Sequence, residues 1–420
     1  MLVGTFKIDI TPLPCVELCG FAKRPQPSNH ILDPLYVRIL YLDAGGEKFL
    51  LINPDLIGVE GSFVQRIRSE LNIDFDIPEE HIQIFATHTH SGPGTVHLNF
   101  CGEYAPDYID FLQDKILEGC RAAMKDPEPC TPEFREASLE LGRNRRYVSD
   151  DPLDNPLRIL SWRKHGGELK SVLLNYAMHP VCLKGTGISA DYPGWVSKAL
   201  GEELPGQPLV LFGLGAAGDI DPPGVGVSYE QMQDWGSRIA GTAMDCLLNG
   251  SNEITLPDGP LIRLESATVE IPLRSLDIDE IDRYAEKYLS DSKWNDEFGP
   301  VFPQAVEKWR EDMKRKVQNG PASTKAIELN CLMIGQLAIL FVNAELFSEF
   351  ENLVRSKIHT PIMVISCTNG LEGYLPDRKE YAHGGYEVET AIFFYNSFLP
   401  EAGSLEMLAG KSVRLINRFL

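Results

Sequence analysis

The run Ile82-Gln83-Ile84-Phe85-Ala86-Thr87 passes directly into His88-Thr89-His90-Ser91-Gly92-Pro93. Its first residues read as a buried strand, and side chains two apart on a strand face the same way. His88 and His90 are therefore expected on one side, with Gly92-Pro93-Gly94 breaking the strand just beyond. Two imidazoles at a strand end, beside an open turn, are arranged as a metal clamp requires. The plain alternative is a pair of surface histidines in a loop.

Similar runs recur along the chain: Val172 to Ala177, Leu209 to Phe212, Leu337 to Val342 and Ile362 to Ser366. Each is too short for a core helix and too apolar for a surface strand, which predicts a large β-sheet core covered on both faces. Helical spacing appears over Ser62 to Leu71 and Tyr108 to Met124, and a closing amphipathic helix over Leu405 to Leu420. Arg38 to Leu42 and Lys48 to Asn53 read as a hairpin about Ala44-Gly45-Gly46. The fold class is mixed α/β, a single domain over 1–420 with a charged helical insertion at about 275–320.

The residues that close each apolar run suggest a site, because α/β scaffolds gather chemistry at the carboxyl ends of strands. The runs end in His88 and His90, in His179-Pro180, in Gly213-Leu214-Gly215-Ala216-Ala217-Gly218-Asp219-Ile220-Asp221, in Asn343-Ala344-Glu345, and in Thr368 to Tyr374. Histidine, glutamate and tyrosine make an N/O set suited to zinc with a position left for water. Gly213-x-Gly215-x-x-Gly218 spells the dinucleotide fingerprint, yet Asp221-Pro222-Pro223-Gly224 cannot carry the helix that fingerprint needs. Each residue has a plainer reading too: His179 a core histidine, Glu345 a helix N-terminal carboxylate, Arg145 part of a solvated basic patch, Asp219 a loop cap, and the tyrosines packing groups. His30, His81, His97, His165, His359 and His383 are read as structural or exposed, with His97 and His383 nearest the site in sequence.

Acidic residues outnumber basic ones 60 to 39, a net charge of −21. A field of that sign repels phosphate backbones and anionic membrane surfaces, so a small-molecule substrate is expected rather than nucleic acid. No apolar run approaches a bilayer span, and the N-terminus reads as a first strand rather than a signal peptide. Nine scattered cysteines without a CxxC pair suit a reduced, cytoplasmic protein.

These residues resemble the N-terminal catalytic domain of neutral (non-lysosomal) ceramidases, zinc-dependent amidases, from Asp9-Ile10-Thr11-Pro12 to Tyr386-Glu387. Ala86 to Gly94 is the most specific match. Asn144-Arg145, Ala177-Met178-His179-Pro180, Gly218-Asp219, Glu345, Tyr374 and Tyr386-Glu387 come after it in the family's order. The resemblance implies zinc held by His88, His179, Glu345 and Tyr374, with His90, Arg145 and Tyr386 on the carbonyl-binding side. It also places Asp219 and Asp221 in the catalytic loop. Asp221 stands where the ceramidases carry a serine, and the family's C-terminal β domain is not expected in this chain. The resemblance implies hydrolysis of an amide or ester, while Asp221 and the acidic surface point to a soluble substrate rather than ceramide. Two other readings stay open: a metal-dependent lyase or isomerase of sugar-like substrates, and a non-catalytic metal-bound binding module.

Overall fold

The computed structural model describes residues 1–420 except 23, 25, 147–152, 251, 252, 256–261, 321 and 322. Two sheets stack face to face. The larger has nine strands, in the order Leu209–Leu214, Leu169–Tyr176, Leu157–Lys164, Glu128–Ala137, Leu2–Asp9, Tyr36–Ala44, Glu47–Pro54 and Ile82–Ile84, with Glu253–Thr255 joined to Glu128–Ala137. The smaller runs Ile262–Pro272, Thr324–Ile334, Leu337–Val342 and Ile362–Ile365. The buried runs read from the sequence as one covered sheet are thus divided between two. Either sheet buries both faces, one under helices and one against its partner, so both yield the same uninterrupted apolar pattern.

Alternation along single strands shows the layering. In Leu337–Val342, Leu337, Ile339 and Phe341 face the larger sheet, while Ala338, Leu340 and Val342 face the helices. In Tyr36–Ala44, Leu40 and Leu42 meet the smaller sheet, while Ile39 and Tyr41 meet helices α1 (Gly61–Phe75) and α2 (Pro106–Ala123). Helices α3 (Asp191–Glu203) and α4 (Tyr229–Asn249) cover the other half of that sheet through Val196, Leu200, Trp235 and Ile239. The expected hairpin is present, and its turn residues Gly45 and Gly46 have φ of 70° and 99°, a conformation only glycine adopts cheaply.

The predicted insertion is three helices: α5 (Ile278–Leu289), α6 (Ser292–Phe298) and α7 (Val301–Gln318). They leave and return between Ile262–Pro272 and Thr324–Ile334, which pair with each other along their full length. Asp277 and Glu280 form a capping box at the start of α5. The three helices bury Ile281, Trp294, Phe302 and Trp309 against Phe393 of α9 (Ala391–Tyr395), a core separate from that between the sheets. Helices α8 (Glu349–Arg355) and α10 (Ser404–Ile416) complete the outer layer of the smaller sheet. Among the described residues no helix is long and apolar enough to cross a membrane, and the nine cysteines are all free thiols.

Asparagines pin the strand ends from which the site loops leave. Asn53 exchanges two bonds with the Phe212 backbone, at 2.9 and 3.0 Å, and donates a third to Phe85 O at 2.8 Å. Asn369 accepts from Ile84 N and donates to Gln83, at 2.8 Å each.

Two acids, the buried Asp191 and the half-buried Asp33, bear on stability. Burial pushes the carboxyls of Asp33 and Asp191 up to about 6, against hydrogen bonds from Ser189 and Ala190 to the first and from Tyr192 and Leu183 to the second. A carboxyl whose pKa is raised on folding binds its proton more tightly in the folded state. Its stabilisation is complete below the unfolded value near 4 and is lost as pH rises through 6. The unfolding free energy from urea titration is therefore expected to fall between pH 5 and pH 8, by about 1 kcal/mol for each acid, and Asp191→Asn is expected to flatten that slope. A midpoint that rises towards pH 8 contradicts this account.

Candidate metal centre

Five loops leave the carboxyl ends of strands and converge. His88 does not sit on a strand: Ile82–Ile84 ends before it, and His88 itself has φ of 68°. The strand pleat therefore does not set His88 and His90 side by side, contrary to the sequence expectation. A left-handed residue turns the chain, and the loop carries both rings inward. His88 Nδ1 bonds Ile57 O at 2.6 Å, and His179 Nδ1 bonds Ala217 O at 3.2 Å. Such bonds fix the tautomer and aim Nε2 at the centre. His90 differs: its Nδ1 makes no well-formed hydrogen bond and lies beside Gly20, where a Cβ would come within 2.4 Å.

The glutamate and tyrosine arrive together, because Glu345 and Tyr374 are opposite partners in a short parallel pair. Glu345 is therefore a strand residue, and helix α8 begins four residues later. Its Oε1 accepts from Tyr395 of α9. Its Oε2 is buried with no hydrogen-bond partner among the described residues. That oxygen lies 3.4 Å from His88 Nε2 and 3.6 Å from His179 Nε2, and the two nitrogens are 3.2 Å apart. Ligands bound at 2.0–2.1 Å in tetrahedral directions stand about 3.3 Å apart, so the triangle has the edges of a metal coordination face. His90 Nε2 is 3.5 Å from His88 Nε2, and the three imidazoles have ligand atoms within 4.8 Å of one another. The residues present thus fit a divalent ion.

The electrostatics suit a cation. Burial disfavours charge on His88, but the adjacent Cys367 thiol and Glu345 carboxylate outweigh it and hold its pKa well above the usual value. Burial and the charge on His88 push His90 and His179 well below theirs. Burial would raise Glu345, yet His88 and the Tyr395 and Tyr374 hydroxyls keep it below the carboxylate range. The Glu345 carboxylate thus favours a positive charge among these rings, and a metal ion can supply it in place of a proton.

Beside this floor, Arg143–Asn144 pairs with Ile220–Asp221 and delivers Arg145 next to the glycine loop. Arg145 Nη1 donates to Asp221 Oδ1 at 3.2 Å, its Nη2 to Gly218 O at 2.7 Å, and its Nε lies 2.7 Å from Glu387 Oε1. Arg146 spans Glu380 Oε2 at 2.6 Å, Glu387 Oε2 at 2.5 Å and Gly384 O at 2.6 Å. No helix continues from the glycine loop. Gly218 is required because a Cβ there would lie 2.9 Å from Leu346 O.

His90, His179, Arg145, Asp221, Tyr374 and Tyr386 line one cavity of about 540 Å³. Asp219 does not: its oxygens accept from Asn144 at 3.0 Å and from Ser348 N and Oγ at 2.7 and 2.8 Å, tying two loops from behind. His383 stands at the mouth, and His97 lies outside, 3.0 Å from Glu60.

Tyr395 was not legible in the sequence. It ends the apolar run Ile392-Phe393-Phe394 and reads as packing. Tyr395→Phe is expected to lower metal affinity about 10–100-fold, the usual loss when a ligand's outer partner is removed. Competition against a chelating dye measures it, and an unchanged affinity refutes the role.

No family model and no curated protein matches the sequence. Solved structures do match. The neutral ceramidase from Pseudomonas aeruginosa aligns over 99% of this chain and 74% of its own, with 17% identity and a TM-score of 0.73. A ceramidase complexed with C2 aligns over 99% and 75%, with 18% identity and a TM-score of 0.74. From its first strand to its last helix, this chain is built on the neutral ceramidase fold.

Proposed function

We propose that the protein is a zinc-dependent hydrolase of an amide or ester bond in a small soluble substrate, with His88, His179, Glu345 and Tyr374 as the metal ligands. The observation that carries this reading is the triangle of His88 Nε2, His179 Nε2 and the unpartnered Glu345 Oε2. Zinc bound there would supply a Lewis acid and a water acidified to a pKa near 7. His90, Arg145 and Tyr386 are suited to the charge that develops on a carbonyl oxygen under attack. Burial raises the Tyr386 phenol well above its usual value, so it keeps its proton and donates a hydrogen bond. Burial likewise raises Asp221 against the pull of Arg145, which suits a carboxylate that accepts a proton from water. Asp219 acts by position, holding the Asn144 and Ser348 loops.

The similar structures are ceramidases; this cavity is lined by charged groups beside Phe21, Trp294 and Phe298, which suits an acylated substrate with a polar part. Nine free thiols suit a reducing, cytoplasmic setting. A second reading rests on Asp221, Glu387 and Tyr386 lying together, which could move protons on a sugar-like substrate in a lyase or isomerase.

The test is metal analysis of the purified protein and then turnover of N-acyl and O-acyl compounds. About one zinc per chain, with acid released from an acyl compound and none after chelation, supports the hydrolase. Turnover of sugars without acyl cleavage moves the assignment to the second reading. Bound metal with neither activity leaves a binding module.

A further inference from the structure

The walls above the metal floor carry two ammonium groups from unrelated elements. Lys184 lies in the loop after His179-Pro180, and Lys293 lies in helix α6 of the insertion. Both line the cavity, and both are exposed to solvent. Neither has a carboxylate within ion-pair distance among the described residues, although this is a chain in which acids are in large excess.

Each ammonium is backed by an aromatic ring that leads to the site. Lys184 Nζ lies 5.4 Å from the Phe21 ring centre, and that ring meets His90 edge-on at 5.1 Å. Lys293 Nζ lies 4.4 Å over Trp294, which stacks on Phe298 at 6.0 Å, and Phe298 packs on Tyr386 at 5.5 Å. The rings hold the two stems against the cavity lining and leave both heads exposed to solvent. Of the acids that line the cavity, Glu297 lies four residues from Lys293 in the same helix, and its single charge answers only part of the two ammonium groups. The carboxylates lower down, Asp221 and Glu387, are already taken by Arg145 and Arg146. Among the lining residues not held in an ion pair, two ammonium groups thus stand against one carboxylate, a local positive surplus on a protein whose overall field repels anions.

We propose that Lys184 and Lys293 form an anion-recognition pair, and that the substrate is an acylated amine whose amine portion bears a carboxylate or phosphate. This inference rests on the hydrolase reading for its chemistry. Water oxygen bonds to the acyl carbon, the C–N bond breaks, and both water protons end on the amine nitrogen. The products are a carboxylate and an ammonium that carries the substrate's anionic group.

The experiment compares three amides with one acyl group on the zinc-loaded protein: N-hexanoyl-β-alanine, its neutral amide N-hexanoyl-β-alaninamide, and N-hexanoyl-phosphoethanolamine. Charge-assisted contacts to one or two lysines predict an anionic-to-neutral ratio in kcat/KM of about tenfold or more. That ratio is expected to collapse in Lys184→Ala/Lys293→Ala, mainly through KM, and to shrink between 50 and 500 mM salt. Whether carboxylate or phosphate gives the larger ratio identifies which anion the mouth fits. A ratio near one in wild type, or one unchanged in the double variant, overturns the anion pair and leaves the hydrolase reading intact. Calorimetry on the same compounds separates the converse failure. Tighter binding of the anions, lost in the double variant but without cleavage, supports the pair and overturns the hydrolase.

Discussion

His179→Ala is expected to yield a folded protein that holds no metal. Two edges of the donor triangle end on His179 Nε2, at 3.2 Å to His88 and 3.6 Å to Glu345. Removing that nitrogen leaves two of the three donors and opens a void between loops held elsewhere by Asn53 and Asn369. Metal content is expected to fall from about one ion per chain to below a tenth. Losing several kcal/mol of charge stabilisation lowers acyl cleavage about a thousandfold or more. Elemental analysis beside circular dichroism checks both halves of the expectation. A folded variant that keeps its ion would remove His179 from the ligand set.

The largest effect on stability is expected from Arg146→Ala. The guanidinium answers Glu380 and Glu387 together, and those side chains are only 3% and 5% exposed. Truncation leaves Glu387 to Arg145 alone and takes the guanidinium away from the buried Glu380 carboxylate beside it, which costs about 3–5 kcal/mol. Arg146→Lys is expected to recover little, because one ammonium cannot reproduce a planar fork that also donates to Gly384 O. Tyr386 precedes Glu387 in the same turn, so acyl cleavage should fall along with the urea midpoint. A loss under about 1 kcal/mol would mean that water, rather than Arg146, satisfies these acids.

Much of this was legible in the chain because chemistry-bearing residues stand at the ends of apolar runs. His88, His179, Glu345 and Tyr374 come after four separate strands, and the fold brings three of their donor atoms into one triangle. Other features leave no trace in a one-dimensional pattern. The left-handed backbone of His88 is a property of the loop, since neither φ nor the ring direction can be read from residue type. Asp219 and Asp221 are two apart and chemically alike, yet Ser348 and Asn144 saturate the first while the second faces the cavity. The assignment of a buried strand to one sheet or the other depends on partners far away in sequence. Tyr395 reads as packing because its hydroxyl partner, Glu345, lies fifty residues earlier.

The insertion helices have a consequence for how such a protein changes over generations. They supply Lys293, Trp294, Glu297 and Phe298 to the cavity wall, while their own interior rests on Ile281, Phe302 and Trp309. Mutations that reshape what the mouth admits can accumulate at exposed positions such as Lys293, while the contact of Phe298 with Tyr386 and the packing on α9, which carries Tyr395, tie the buried face to the floor. That division gives an engineer a place to swap selectivity: vary the exposed residues of α6 and keep its contacts with Tyr386 and α9. A lineage built this way can hold its reaction constant while its diet drifts.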